Sequence, residues 1–237
     1  MKFMSMLKKK QIYAAIACGL LLTIGADYSA AEAGIVIVGH NDRSGLAEGD
    51  NNQYIDGNAH SQAGFSDYEG IASGANYTIT GGNWGGKRFY GGHKDADILE
   101  NNYIGVTDGT FSGEICGAFL NTGATGITRN NTVEITGGTF SGRMSVTGGN
   151  AYYGDSLNNT VKMSGIESFG RDERYDHYPS ITGGSSEKTA SGNQVIISNS
   201  DISDALIQGG RTGGTKAKAY GNRVELVNCT YNITSYD

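Results

Sequence analysis

Proline is almost missing from this chain of 237 residues, where Pro179 is the sole example. With glycines that keep no every-third-residue spacing, that scarcity excludes a collagen helix. A basic stripe is also lacking and the formal net charge is −6, which argues against nucleic acid or an anionic membrane as partner. Catalytic signatures are missing in turn. There is no Gly-x-Ser-x-Gly elbow, no phosphate loop and no Gly-Gly-x-Gly-x-Asp calcium series. His40, His60, His93 and His177 lack metal-like spacing and read as loop residues. The carboxylate pairs Asp95/Asp97 and Asp172/Asp176 stand alone, since equivalent positions of neighbouring repeats hold no acidic cluster. No catalytic residue, cofactor or metal is therefore expected.

What the chain does have is glycine, 38 residues of it, interleaved with short Val/Ile/Phe alternations that supply something to bury. The N-terminus is separate. Lys8-Lys9-Lys10, an apolar run from Ile12 to Ile24 and Ala31-Glu32-Ala33 make the basic, hydrophobic and small-residue parts of a secretory signal peptide over residues 1–33. The apolar run is shorter than the roughly 20 residues of a membrane span. Cleavage after Ala33 takes four of the 18 basic and two of the 24 acidic residues, leaving a net formal charge of −8. Residues 34–74 open with the apolar strand Gly34-Ile35-Val36-Ile37-Val38-Gly39 and continue irregular and polar, as the N-terminal cap of a repeat array does.

From residue 75 to 237 one phrase recurs, clearest at Asn130-Asn131-Thr132-Val133-Glu134-Ile135-Thr136-Gly137-Gly138-Thr139-Phe140-Ser141-Gly142. Its copies start at Ala75, Asn102, Asn131, Asn159, Asn193 and Asn222, at intervals of 27, 29, 28, 34 and 29 residues. Two positions on stand Tyr77, Ile104, Val133, Val161, Val195 and Val224, and two further on Ile79, Val106, Ile135, Met163, Ile197 and Leu226. Polar neighbours alternate with them, so each copy opens with a strand that has one apolar face. Trp84, Phe111, Phe140, Phe169, Ile202 and Tyr231 follow, and then a second strand carrying Phe89, Ile115, Val146, Ile181 and Ile207. Gly91-Gly92, Gly148-Gly149, Gly183-Gly184 and Gly209-Gly210 close that strand, where glycine suits a sharp corner by positive φ or by close backbone approach. A length of 28–29 residues with tight corners fits one coil of an all-β, right-handed parallel β-helix (β-solenoid). An antiparallel β-sandwich is the alternative with the same alternation.

The ladder residues expected are Asn102, Asn131, Asn159, Asn193 and Asn222, stacked at a corner where Asn tolerates left-handed backbone and its amide bonds the next rung. Val133, Ile135, Phe111 and Phe140 belong to the interior. Asn-x-Thr triplets at Asn76, Asn130, Asn158, Asn228 and Asn232 read as turn asparagine followed by strand threonine rather than as glycan acceptors. Cys116 and Cys229 fall about four coils, or about 19 Å, apart, too far for a disulfide, so both are expected as free thiols. The 34-residue interval holds a charged insertion with Arg171, Asp172, Arg174, Tyr175, His177 and Tyr178, the candidate ligand loop.

With these repeats behind a signal peptide, the chain resembles the passenger region of Gram-negative autotransporters, the exported adhesins of type V secretion. The phrases at Asn101 to Gly113, Asn130 to Gly142 and Ile181-Thr182-Gly183-Gly184 carry the likeness, which spans residues 75–237. It implies a β-helical stalk that is passed through an outer-membrane β-barrel translocator. Such a stalk is displayed at the cell surface or secreted, and it adheres to a host or bacterial glycan or protein receptor. No barrel follows the repeats, and the chain stops within one, so a fragment of a longer protein is expected. A secreted β-helix enzyme acting on polysaccharide is the second functional reading.

Overall fold

A computed structural model describes residues 35–37, 73–74, 76–86, 88–93, 96–120, 123–169, 178–203 and 205–231. The chain divides into two compact units, Met1–Ala33 and Gly34–Asp237. The first lies outside the described residues, as do the whole of segment 38–72 and the insertion residues Arg171, Asp172, Arg174, Tyr175 and His177.

Among the described residues every regular element is a strand. In order these are β1 (Ile35–Ile37), β2 (Asn76–Gly85), β3 (Arg88–His93), β4 (Ile98–Glu100), β5 (Tyr103–Phe111), β6 (Glu114–Leu120), β7 (Ile127–Arg129), β8 (Thr132–Ile135) and β9 (Thr139–Phe140). They continue as β10 (Ser145–Ala151), β11 (Asp155–Leu157), β12 (Thr160–Ser164), β13 (Ser180–Ser186), β14 (Thr189–Ser191), β15 (Gln194–Ser198), β16 (Leu206–Thr212), β17 (Lys218–Tyr220) and β18 (Arg223–Val227). Three parallel sheets collect them. The first runs β1-β2-β5-β8-β12-β15-β18, with β9 beside β5; the second β3-β6-β10-β13-β16; the third β4-β7-β11-β14-β17. Each coil thus gives one strand to each sheet and pairs with the coil before and the coil after. All pairings are parallel, which rules out the sandwich and makes this a β-solenoid of about five coils.

The register follows the repeat. Tyr77, Ile104, Val133, Val161, Val195 and Val224 are consecutive partners in the first sheet, as are Ile79, Val106, Ile135, Met163, Ile197 and Leu226. In the second sheet Phe89, Ile115, Val146, Ile181 and Ile207 align. The 34-residue interval leaves both sheets in register, so its extra residues are absorbed between Phe169 and Tyr178. Val133 and Ile135 alternate with outward Thr132 and Glu134, and both apolar side chains are fully buried. Each such burial is worth roughly 1.5–3 kcal/mol. Phe111, Phe140 and Phe169 stack face to face at centroid distances of 5.4 and 5.6 Å and fill the same core. Cys116 and Cys229 are free thiols.

Two details differ from the expectation. The left-handed residue is not the ladder asparagine but the one before it: Asn101, Asn130 and Asn158 have φ of 58°, 56° and 53°, and Gly192 and Gly221 take the same place at 66° and 63°. The left-handed backbone and the stacked amide thus belong to neighbouring residues. The Gly-Gly pairs, in turn, lie within β3, β10, β13 and β16 and not at corners between strands. None has positive φ; the reason for glycine there is close approach. A Cβ on Gly148 would stand 2.4 Å from Gly183 O, and one on Gly149 would stand 2.6 Å from the Asn159 amide. By contrast Gly137-Gly138 does form the turn between β8 and β9, with Gly138 at φ 110°.

Candidate functional site

The ladder asparagines meet those glycines at the middle of each coil. Nδ2 of Asn102 donates to Oδ1 of Asn131 at 2.8 Å, Asn131 to Asn159 at 2.8 Å, Asn159 to Asn193 at 3.1 Å and Asn193 to Asn222 at 3.1 Å. Each acceptor oxygen also receives the backbone N–H of the preceding ladder residue. From Asn131 onward each Nδ2 has a second acceptor on the third sheet's side: Leu99 O, Thr128 O, Ser156 O and Ala190 O. A primary amide offers two donors and one carbonyl, and the ladder uses all of them. It separates a large core from a small one made of Leu99, Ala118, Leu120 and Ala151. The five asparagines named from the sequence form this ladder, and Val133, Ile135, Phe111 and Phe140 lie in the large core.

Because the glycine pair is pressed inward onto the ladder, the outer face of the second sheet is indented at that line. Residues on either side of the pair turn outward and converge. Tyr90 stacks on His93 at 5.1 Å and on Phe119 of the next coil at 5.0 Å, with His93 5.8 Å from Phe119. Along the indentation the register replaces Tyr90 by Cys116, Thr147, Thr182 and Gln208, and His93 by Phe119, Asn150, Ser185 and Arg211. His93 is therefore a buried strand residue, 2% exposed, and not a loop histidine. His40, His60 and His177 lie outside the described residues.

At the rim, Tyr90 Oη donates to Glu114 Oε2 at 3.0 Å, and Arg88 Nε lies 4.0 Å from the same oxygen. Burial pushes the Glu114 carboxyl above the ordinary value, although a fifth of its side chain reaches solvent; the Tyr90 hydrogen bond and Arg88 pull it partly back. Burial, and then the Glu114 charge, push the Tyr90 hydroxyl and the Cys116 thiol upward. Cys116 Sγ donates to Ala118 O at 3.0 Å. Glu114 is thus a carboxyl that keeps its proton to higher pH. The groups acting on it are Tyr90 and Arg88, and no second carboxylate is among them. Among the described residues no group of three or more His, Cys, Asp or Glu side chains is placed to hold a metal ion.

Of the candidate ligand residues, Tyr178 alone is described, half-buried beside the buried Pro179, whose carbonyl accepts from Leu206 N at 2.8 Å. Asp97 is exposed and Asp95 lies outside the described residues. The Tyr90–Glu114 group escapes sequence reading because its members come from two coils. One signal was available: the column that holds Thr147 and Thr182 turns to Tyr90 and Cys116 in the first coils. Compared with protein-family models, with curated proteins and with solved structures, the chain finds no match in any of the three.

Proposed function

We propose that this chain is an exported β-helical passenger segment of an autotransporter-like protein, a structural and adhesive stalk without enzymatic activity. The observation that carries the reading is the unbroken coil-to-coil ladder from Asn102 to Asn222. Every coil offers the next a complete set of donors, acceptors and apolar rungs, so folding propagates by nearest-neighbour stacking. A chain that emerges from a membrane as an extended thread needs that kind of folding. The basic-apolar-small N-terminus and the acidic remainder agree with export and display. The partners are a β-barrel translocator in the outer membrane and a glycan or protein receptor on a host or bacterial surface.

The test is protease treatment of intact Gram-negative cells that express the full-length reading frame. Cleavage within residues 75–237 from outside, with a periplasmic marker left intact, is the expected result; protection of the segment until the cells are lysed contradicts it. One observation favours the second reading, a polysaccharide-active β-helix: the raised carboxyl of Glu114 at the rim of the indented face. Release of reducing ends from polysaccharide by the purified protein, abolished by Glu114→Gln, would put the enzyme first.

A further inference from the structure

Among the described residues, the exposed large apolar side chains fall in two places. Leu206, Tyr220, Val224, Val227 and Tyr231 belong to the last described coil, whereas Tyr152 (39% exposed) and Tyr153 (48%) stand in mid-solenoid. Coils pair on both sides of this pair, so an open end does not account for its exposure. The two rings lie at the corner between β10 and β11, 4.7 Å apart and perpendicular at 87°, so one offers a face where the other offers an edge.

The corner is rigid. Gly154 N donates to Ala151 O at 3.3 Å, and a Cβ on Gly154 would lie 1.6 Å from Gly126 O, so the turn is drawn tight against the preceding coil. From the following coil, Glu187 N donates to Tyr152 O at 2.9 Å, Ser186 Oγ to Gly154 O at 2.6 Å, and Lys188 N to Ser186 Oγ at 2.8 Å. This register sets Glu187 and Lys188 beside the two tyrosines. The Glu187 charge pushes the Tyr152 hydroxyl upward, and Lys188 Nζ pairs with Asp155 Oδ2 at 3.0 Å.

We propose that Tyr152 and Tyr153, flanked by Glu187, Lys188 and Asp155, form a binding platform for neutral oligosaccharides. A pyranose ring has an apolar C–H face and a rim of hydroxyls. A tyrosine face takes the first at little entropic cost, while the Glu187 carboxylate and the Lys188 ammonium group take the second. Two carboxylates against one ammonium leave the platform negative, which disfavours uronic and sialic acids. A peptide strand has no edge to join here, because β10 and β11 are already paired on both sides.

The inference rests on the adhesive reading and assigns its receptor class. The test is saturation-transfer NMR and calorimetric titration of the purified chain with cellohexaose, maltohexaose and chitohexaose, with polygalacturonate as the acidic control. Binding of at least one neutral oligomer is expected, weakened about tenfold or more by the Tyr152→Ala/Tyr153→Ala double variant, with circular dichroism and melting unchanged. No binding by any neutral oligomer, binding untouched by the double variant, or preference for polygalacturonate would overturn the platform. Failure of surface display in the protease assay, with sugar binding intact, would refute export and leave the platform standing.

Discussion

Asn131 Nδ2 lies 2.8 Å from Asn159 Oδ1, and both amides are fully buried. The same nitrogen donates to Leu99 O at 3.1 Å, while Asn131 Oδ1 accepts from both Nδ2 and the backbone N–H of Asn102. One side chain therefore satisfies groups on three coil segments.

Asn131→Ala leaves several buried groups without partners, at about 1–3 kcal/mol each, and is expected to cost about 3–5 kcal/mol. Its neighbour behaves differently. Asn130 is exposed with φ 56°, so Asn130→Gly is expected to change stability by less than about 0.5 kcal/mol and Asn130→Val to cost about 1–2 kcal/mol. Urea unfolding followed by circular dichroism separates the two; equal effects at both positions would contradict the division of labour.

At the first position of the pair every coil has glycine, Gly91, Gly117, Gly148, Gly183 and Gly209, whereas the second position is Ala118 in one coil. Gly148→Ala puts a methyl 2.4 Å from Gly183 O and 3.1 Å from Asn159 Cβ, both held on the next coil. The melting temperature is expected to fall by more than about 10 °C, well beyond the few degrees of a typical 1 kcal/mol substitution. Gly86→Ala meets nothing within 4 Å and is expected to be neutral or stabilising by up to about 1 kcal/mol.

Among the described residues one buried hydroxyl is unsatisfied. Thr128 Oγ1 is buried without a hydrogen-bond partner, whereas Ser156, its register neighbour, donates to Gly149 O at 2.9 Å and accepts from Asn159 Nδ2 at 3.1 Å. Thr128→Val therefore removes a desolvation cost and is expected to stabilise by about 1 kcal/mol; Ser156→Ala is expected to destabilise by about 1–2 kcal/mol. Differential scanning calorimetry on the pair checks the opposite signs.

Glu114 makes stability depend on pH. Its folded value is raised above the ordinary 4.5, so the folded chain holds the proton more tightly than the unfolded one. The resulting stabilisation is fully present below the unfolded value and is lost as pH rises through the folded one. Glu114→Gln, which cannot ionise, is expected to flatten that slope in melting curves taken from pH 4 upward. An unchanged slope would mean that the carboxyl is not held out of water.

Much of this architecture was legible in the sequence. The columns headed by Val133, Ile135 and Phe140 could be aligned because β-branched and aromatic residues recur at one period, and period is a property of the chain alone. The indentation was not. A glycine chosen because Gly183 O sits over Gly148 has the same letter as one chosen for φ, and the carbonyl that decides between them comes from another coil. Asn130 and Asn131 raise the same difficulty, since two neighbours with one side chain serve different ends. The Tyr90–Glu114 pair was hidden for the opposite reason: no repetition marks it, since other coils hold cysteine, threonine or glutamine in the Tyr90 column.

The coils stack one strand step apart in a single register. Thr78, Lys162, Ile196 and Glu225 share one column of the first sheet, with Gly105 and Glu134 between Thr78 and Lys162. Nitroxide labels on Thr78→Cys paired with Lys162→Cys, Ile196→Cys or Glu225→Cys, in a Cys18→Ser, Cys116→Ala, Cys229→Ser background, measure that stacking by dipolar electron resonance. At about 4.8 Å per coil the backbone separations are about 14, 19 and 24 Å, and the expected result is three narrow distributions that lengthen by one equal step. Distances that fail to increase with coil number, or that spread without a peak, would contradict the solenoid.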